Sequence, residues 1–117
     1  MTVERGDVVL VSFPFSSLAG AKLRPAIVVQ TDMNNARLAS TILAGVSSRM
    51  GPSLQPTQVP IDPSTPDGAL TGLLRPSLIK SENLATVETA LIQRKIGRLS
   101  PQLVSALNEA LKVSLGI

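Results

Sequence analysis

Residues 22–30, with the sequence KLRPAIVVQ, join a basic, turn-like segment directly to a short apolar run. Pro25 fixes its own φ angle and favours an extended conformation at the preceding residue, Arg24. Residues 26–29 are rich in β-branched side chains, which is typical of a core strand. The sequence therefore predicts that Arg24 lies at the mouth of a rigid strand, where its guanidinium group has a defined direction.

Arg24 has two interpretations from the residues alone. A guanidinium group binds phosphate in a forked, two-point geometry that the ammonium group of Lys does not match. Most Arg residues, however, are solvated at the surface or pair with a nearby carboxylate. Without further information, the pattern favours this second, structural role.

The composition limits the chemistry that is available to the chain. Its 117 residues fit one compact domain, which we expect to span residues 1–117. The absence of Cys and His excludes disulfides, thiol catalysis and the usual imidazole acid–base catalyst. A transition-metal site would have to consist of carboxylates alone. We therefore expect no metal site and no cofactor.

The charge distribution says more than the net charge of +3, which alone is weak evidence for a nucleic-acid partner. Between positions 20 and 60 the charged residues are Lys22, Arg24, Asp32, Arg37 and Arg49. This segment is therefore mostly basic. The N-terminus has no signal-peptide pattern, and no apolar run is long enough to span a bilayer. We expect a soluble cytoplasmic protein.

Short apolar runs separated by Gly and Pro predict a mainly β protein. The predicted strands are residues 8–13, 26–30, 41–46, 57–61, 76–79 and 95–99. Pro60 has no backbone N–H group, so its strand is expected at a sheet edge or at a bulge. Residues 81–84 are polar and are predicted to form a short helical turn.

The last helix is the clearest single element. Ser100 is a favourable N-cap, Pro101 suits the first helical position, and Gly116 ends the helix. Apolar residues recur at the three-and-four spacing of one helix face. Burying each large aliphatic side chain of that face stabilises the fold by about 1.5–3 kcal/mol. Short strands followed by an amphipathic helix indicate a small twisted sheet or a partly open barrel packed by helices.

A series of short motifs follows in a fixed order along nearly the whole chain. They are residues 5–11, 13–15, 24–29, 41–47, 56–62, 72–77 and 96–99, and the closing helix comes after them. Each motif is weak alone, but the ordered set resembles the MazF/PemK family of toxin endoribonucleases.

The resemblance implies an α+β, mainly β fold, namely an SH3-like antiparallel β-barrel with short helices and a C-terminal amphipathic helix. It implies a homodimer that cleaves single-stranded RNA selectively, through the 2′-hydroxyl group and without a metal ion. It also implies a cognate antitoxin that wraps around the dimer and blocks the RNA site.

The same resemblance assigns catalytic roles to Arg24 and Ser47. Arg24 matches the family's Arg after the first hairpin loop. Ser47 stands where the family usually has Thr, and Ser12 stands where the family often has an acid. The flanking loops are expected to bind RNA through Phe15, Ser16, Lys22, Ser48 and Arg49.

The chemistry of such a cleavage can be compared with the residues present. It requires a group that accepts the 2′-hydroxyl proton, stabilisation of the phosphorane, and a proton for the leaving 5′-oxygen. Arg24 suits the second role but is a poor base, because a guanidinium group stays protonated. The hydroxyl group of Ser47 can bind the 2′-hydroxyl or a phosphate oxygen. For the general base, a hydroxyl network, a backbone carbonyl, or a carboxylate such as Asp7 or Glu82 are open alternatives.

Two functions from different classes stay open at this stage. The first is a toxin endoribonuclease that uses Arg24 and Ser47. The second is a relative without catalysis that binds RNA or an antitoxin, or a toxin of the same fold that inhibits gyrase. Solvated surface charge is an equal alternative for Lys22 and Arg49, and turn composition alone also explains Ser47.

Overall fold

The computed structural model describes residues 1–12 and 22–117. The strands are β1 (Asp7–Ser12), β2 (Leu23–Val28), β3 (Ser40–Ser47), β4 (Gln58–Ile61), β5 (Ser77–Glu88) and β6 (Ile92–Arg98). The helices are α1 (Asp32–Arg37), α2 (Pro66–Ala69) and α3 (Pro101–Leu115), with a 3₁₀ turn at Thr89–Leu91. The strands form one antiparallel sheet in the order β4-β5-β3-β2-β1-β6. β4 and β6 are the two edge strands and do not pair with each other, so the sheet is not closed into a complete barrel.

The predicted mainly β, α+β fold with a C-terminal amphipathic helix is confirmed. Pro60 lies in β4, an edge strand, where its missing N–H group does not interrupt a ladder on both sides. Helix α3 begins after Ser100, whose Oγ accepts a hydrogen bond from the N–H of Leu103 at 3.2 Å. The helix ends at Gly116, which has the left-handed φ of 70° that favours glycine.

The helical turn predicted at residues 81–84 is wrong, because β5 runs through it. The neighbouring β3 residues Ala44 and Gly45 pair with Leu84 and Lys80 of β5. The three residues 81–83 therefore face no residue of β3 and form a bulge. The polar composition of this segment reflects the bulge rather than a helix.

The larger of two buried core clusters lies on the sheet face that α3 covers. Val8, Ile27 and Ile79 are fully buried on this face, and Leu107 and Ala110 of α3 pack against them. The alternate residues of the strands form a second buried cluster that includes Val9, Val11, Val28 and Leu43. Period-two alternation of two apolar sets explains why the strand sequences are apolar almost throughout.

The segment after α2 packs against β6 with almost no space between the two backbones. The carbonyl of Leu70 accepts a hydrogen bond from the N–H of Arg98 at 2.9 Å. A Cβ atom at Gly97 would lie 2.4 Å from the carbonyl oxygen of Leu70, and one at Gly72 would lie 2.1 Å from that of Ile96. Gly72 and Gly97 come from two different motifs, at residues 72–77 and 96–99. Because neither has a side chain, the two backbone segments can lie in direct contact.

Helix α3 packs against β4 and β5 and leaves the other end of the same sheet face open. This opening is bounded on one side by the segment that contacts β6. None of the helices in the described ranges is both long and apolar enough to cross a bilayer.

Candidate functional site

The open part of the sheet face forms a groove of about 930 Å³, called here the basic groove. Its floor continues the apolar core through Val46, Leu73 and Ile96. Its walls carry cationic side chains, and no acidic side chain among residues 1–12 and 22–117 lines it. These cations are Arg24, Arg49, Arg75, Lys80 and Arg94.

No cation of the basic groove forms a direct ion pair with a residue of the described part of the chain. The ion pairs found there join Lys95 to Asp7 at 3.1 Å and Lys112 to Glu109 at 3.2 Å. Neither of these Lys residues lines the groove. The groove therefore presents concentrated positive charge to solvent, and this arrangement favours a polyanionic ligand.

Arg24 and Ser47 both line the basic groove, at the ends of β2 and β3 that lie next to it, and their catalytic roles stay predictions. The β2–β3 ladder pairs Ala26 with Gly45 and Val28 with Leu43. The ladder ends at the pair Ala26–Gly45. Ser47 ends β3 two residues after Gly45, and Arg24 lies two residues before Ala26 on β2. Pro25 lies between and has no N–H group, so the two strands separate at the mouth of the groove.

The hydroxyl group of Ser47 is oriented by its own loop. Its Oγ accepts a hydrogen bond from the backbone N–H of Arg49 at 3.1 Å. Its proton makes no hydrogen bond with another described residue, so it is available to a ligand. Ser47 is half-buried, whereas Arg24, Ser48 and Arg49 are exposed. Ser47 is the last residue of β3 and lines the groove, so it lies at a strand end rather than inside a turn.

The predicted RNA-binding residues fall into three groups. Ser48 and Arg49 line the basic groove. Lys22 is exposed directly before β2 and is not one of the lining residues. Phe15 and Ser16 lie outside the described residues. Their roles in binding stay predictions.

Neither carboxylate named as an open alternative for the general base lines the groove. Asp7 is buried, and its Oδ2 accepts a hydrogen bond from the N–H of Glu4 at 2.8 Å in addition to its ion pair with Lys95. Glu82 accepts hydrogen bonds from Thr57 at 2.8 Å and from Gln58 at 3.0 Å.

The pKa of Glu82 is lowered from its ordinary value of 4.5. Partial burial acts against the charged form, but it is outweighed by hydrogen bonds from Gln58, the Glu82 backbone and Thr57 and by the charge of Lys80. The lowered pKa makes the Glu82 carboxylate a weaker base, and both of its oxygens already accept hydrogen bonds, so Glu82 is poorly suited to act as the general base at this site.

Sequence reasoning missed the far side of the groove, which consists of Arg75, Lys80, Asn83 and Arg94. Arg75 belongs to a motif that the resemblance singled out, and this was the one available signal. The others come from β5 and β6, far along the chain. Only the folded sheet brings them near Arg24, through the pairing of Leu10 of β1 with Arg94.

Fold and site together define a small, barrel-like β protein with an open basic groove suited to a phosphate-bearing strand. The profile of the PemK-like, MazF-like toxin family of type II toxin–antitoxin systems matches residues 4–115. The chain therefore belongs to this family.

Three known proteins illustrate the similarity. The endoribonuclease EndoA of Bacillus subtilis is 29 % identical over 120 residues, covering 100 % of this chain and 97 % of the relative. The endoribonuclease MazF of Staphylococcus saprophyticus is 28 % identical over 116 residues, covering 98 % and 92 %. A solved mycobacterial endoribonuclease in complex with its cognate antitoxin superposes with a TM-score of 0.76 at 22 % identity, covering 98 % of this chain and 96 % of that one. This last likeness confirms the fold.

Proposed function

We propose that this chain, as one domain over residues 1–117, is a toxin that acts as a sequence-selective, metal-independent endoribonuclease on single-stranded RNA. The observation that carries the proposal is the basic groove, which Arg24 and Ser47 line together with cations that have no ion-pair partner in the described chain. The endoribonuclease names of the two curated relatives, which match along almost the whole chain, support it.

The proposed reaction uses the 2′-hydroxyl group of the substrate as the nucleophile. A bond forms between the 2′-oxygen and phosphorus, and the bond from phosphorus to the 5′-oxygen breaks. The 2′-hydroxyl gives up its proton and the leaving 5′-oxygen gains one, so the products carry a 2′,3′-cyclic phosphate and a 5′-hydroxyl. No cofactor takes part in these steps.

Arg24 stabilises the negative charge that grows on the phosphorane oxygens, because its fork donates two hydrogen bonds to adjacent oxygens. The hydroxyl group of Ser47 donates a hydrogen bond to a phosphate oxygen or to the 2′-oxygen, and the N–H of Arg49 orients it. We assign no described carboxylate as the base, since Asp7 and Glu82 lie outside the groove lining.

The proposed partners follow from the charge and the sheet edges. An RNA strand and an acidic antitoxin segment would both bind the cations of the groove, so an antitoxin would block cleavage by competition. We propose a homodimer because a small open sheet with two edge strands is protected by association. We place the protein in the cytoplasm, where RNA substrates occur. A single species of monomer mass by light scattering at micromolar concentration would contradict the dimer.

A cleavage assay tests the proposed function. The purified chain is incubated with long single-stranded RNA in excess EDTA, and the ends of the fragments are mapped. Arg24→Ala is compared with Arg37→Ala, which removes the same charge from an exposed position on α1. We expect discrete cuts with 5′-hydroxyl ends that persist in Arg37→Ala and disappear in Arg24→Ala.

The opposite results would assign a different function. Intact RNA across many sequences, with growth inhibition retained, would support a binding-only relative or a poison of a protein target such as gyrase. Cleavage that EDTA abolishes would contradict the metal-independent reaction.

A further inference from the structure

The groove lining contains one side-chain amide among the described residues, Asn83 on β5. The cations around it bind phosphate, which is the same for every nucleotide and carries no sequence information. Selectivity needs a group that makes hydrogen bonds with base edges, and an amide offers one acceptor and two donors side by side. In single-stranded RNA these edges are open to such contacts.

Asn83 is the last residue of the β5 bulge, and the two residues before it are firmly held. The N–H of Ser81 donates to the carbonyl of Thr57 at 3.0 Å, and its carbonyl accepts from the hydroxyl of Ser114 at 2.8 Å. The Ser81 hydroxyl, fully buried, lies 2.5 Å from the carbonyl oxygen of Thr57 and 3.1 Å from that of Ala110. The bulge is therefore bound to both β4 and α3.

Glu82 adds a second anchor on the same side. Its two carboxylate oxygens accept hydrogen bonds from Thr57 and Gln58, as described above. With Ser81 and Glu82 fixed, the backbone that carries Asn83 is rigid although its side chain is exposed. A rigid backbone under an exposed amide reduces the entropy that is lost on binding.

The Asn83 amide makes no hydrogen bond with any residue in the described ranges, so its donors and its acceptor are free for a ligand. This distinguishes Asn83 from Asn35, whose amide is used within the protein. Lys80 lies three residues earlier on β5 and also lines the groove, where its charge suits a phosphate beside the base.

We propose that Asn83 reads one base of the RNA that occupies the basic groove and is a specificity-determining residue of this protein. The inference rests on the proposed endoribonuclease function and deepens it. The amide binds a base edge that presents a donor next to an acceptor, while the neighbouring cations hold the backbone. The bulge at residues 81–83 of β5 thus exposes the Asn83 side chain to the groove.

The test compares cleavage motifs. Wild type, Asn83→Ala, Asn83→Asp and a control, Asn108→Ala on α3 outside the groove, are incubated in EDTA with single-stranded RNA that contains a randomised region. Sequencing of the cut ends gives the base preference at every position, and melting temperatures check that each variant is folded.

We expect Asn83→Ala to reduce the base preference at one motif position by at least about fivefold, the lower limit for a good two-point pair. Preferences elsewhere stay as in wild type. In Asn83→Asp the carboxylate only accepts hydrogen bonds, so the preference at that position moves towards guanine, whose Watson–Crick edge offers two adjacent donors. Asn108→Ala keeps the wild-type motif.

A wild-type motif at all positions in both Asn83 variants, with or without a change in rate, would overturn the inference and leave the endoribonuclease function intact. A wild-type protein that cuts without any base preference would overturn it as well. Intact RNA with wild type and every variant would instead refute the proposed function, and the inference would fall with it.

Discussion

The two ends of the β2–β3 strand pair differ in whether their polar side chains form hydrogen bonds within the protein. At the end near α1, Gln30, Asn35 and Thr41 satisfy one another. The Oδ1 of Asn35 accepts hydrogen bonds from Thr41 at 2.7 Å and from Gln30 at 2.9 Å, and Gln30 also donates to the carbonyl of Ser40. Thr41 is fully buried and Gln30 is 6 % exposed.

At the other end of the same strands, Arg24 and Ser47 line the groove, and their side-chain donors make no hydrogen bond within residues 1–12 and 22–117. Buried polar groups have to be paired because an unpaired one costs free energy. Exposed cations at a groove do not, because water solvates them until a ligand replaces the water. Completed hydrogen bonds at one end therefore indicate stability, and unused donors at the other end indicate binding. Substitutions at the two ends should separate these properties.

The largest effect on cleavage is expected at Arg24 when its charge is kept but its fork is lost. In Arg24→Lys the ammonium group provides a point charge without two-point geometry. Losing one such donor to a transition state costs about 10²–10³ in rate. Single-turnover cleavage measures the rate, and urea unfolding measures stability, which should match wild type. A Lys variant with nearly full activity would show that charge alone is sufficient at the groove end.

The close backbone contact between β6 and the segment after α2, which forms one wall of the groove, should affect both stability and cleavage. In Gly97→Ala the new Cβ atom would lie 2.4 Å from the Leu70 carbonyl oxygen, so the backbones must separate. We expect a loss of about 3 kcal/mol in the free energy of unfolding, the upper end for overpacking, together with slower cleavage.

Gly51→Ala is the matched control, since its Cβ atom would meet nothing closer than 3.9 Å. Thermal and urea unfolding measure the free energy of unfolding of both variants. Equal stability of the two variants would mean that the two backbone segments can move apart with no loss in the free energy of unfolding.

The polar network near α1 should affect stability alone. Asn35→Ala leaves the buried hydroxyl of Thr41 without its acceptor, and the Gln30 amide keeps only its bond to the Ser40 carbonyl. We expect a loss of about 1–3 kcal/mol. Asn34→Ala, whose side chain accepts only from the exposed Arg37, should change stability by less than about 0.5 kcal/mol. Cleavage rates at a temperature where both variants are folded should equal that of wild type. A slower rate in Asn35→Ala would show that the two ends are coupled.

A smaller effect is expected from stiffening the hydroxyl at the groove. Ser47→Thr adds a methyl group that restricts χ1 and holds the same hydroxyl more firmly. We expect faster cleavage by less than a factor of about ten, that is, by less than about 1.4 kcal/mol of barrier. Ser105→Thr, at an exposed position on α3 outside the groove, serves as control. A decrease in rate at position 47 would mean that the groove has no space for the methyl group.

The smallest effect concerns pH and the anchor of the bulge. The pKa of Glu82 in the folded chain is below its ordinary value of 4.5, so its ionised form stabilises the fold. This contribution is complete above about pH 4.5 and is lost as the pH falls through the folded value.

Because Glu82 is exposed, we expect less than about 1 kcal/mol from it. The difference in the free energy of unfolding between wild type and Glu82→Gln, measured by urea unfolding from pH 7 downwards, should shrink below pH 4.5. A constant difference would assign the stabilisation to packing.

The sequence by itself determined the elements with local signals. Alternating and β-branched runs located the strands, Pro60 indicated an edge, and Ser100 with Gly116 bounded the last helix. Arg24 and Ser47 were predicted from ordered motifs, and both line the basic groove. These features depend on neighbouring residues, whose effects on the backbone are short-ranged and readable.

Only the tertiary structure decided what the groove contains. The bulge at residues 81–83 follows from pairing with β3, so a local pattern misassigned it as a helical turn. Arg75, Asn83 and Arg94 come from distant parts of the chain and share a groove because α3 covers only part of the sheet face. The order of the strands and the partial covering of the sheet by α3 both depend on many contacts between residues far apart in the chain. No single stretch of sequence therefore predicts them.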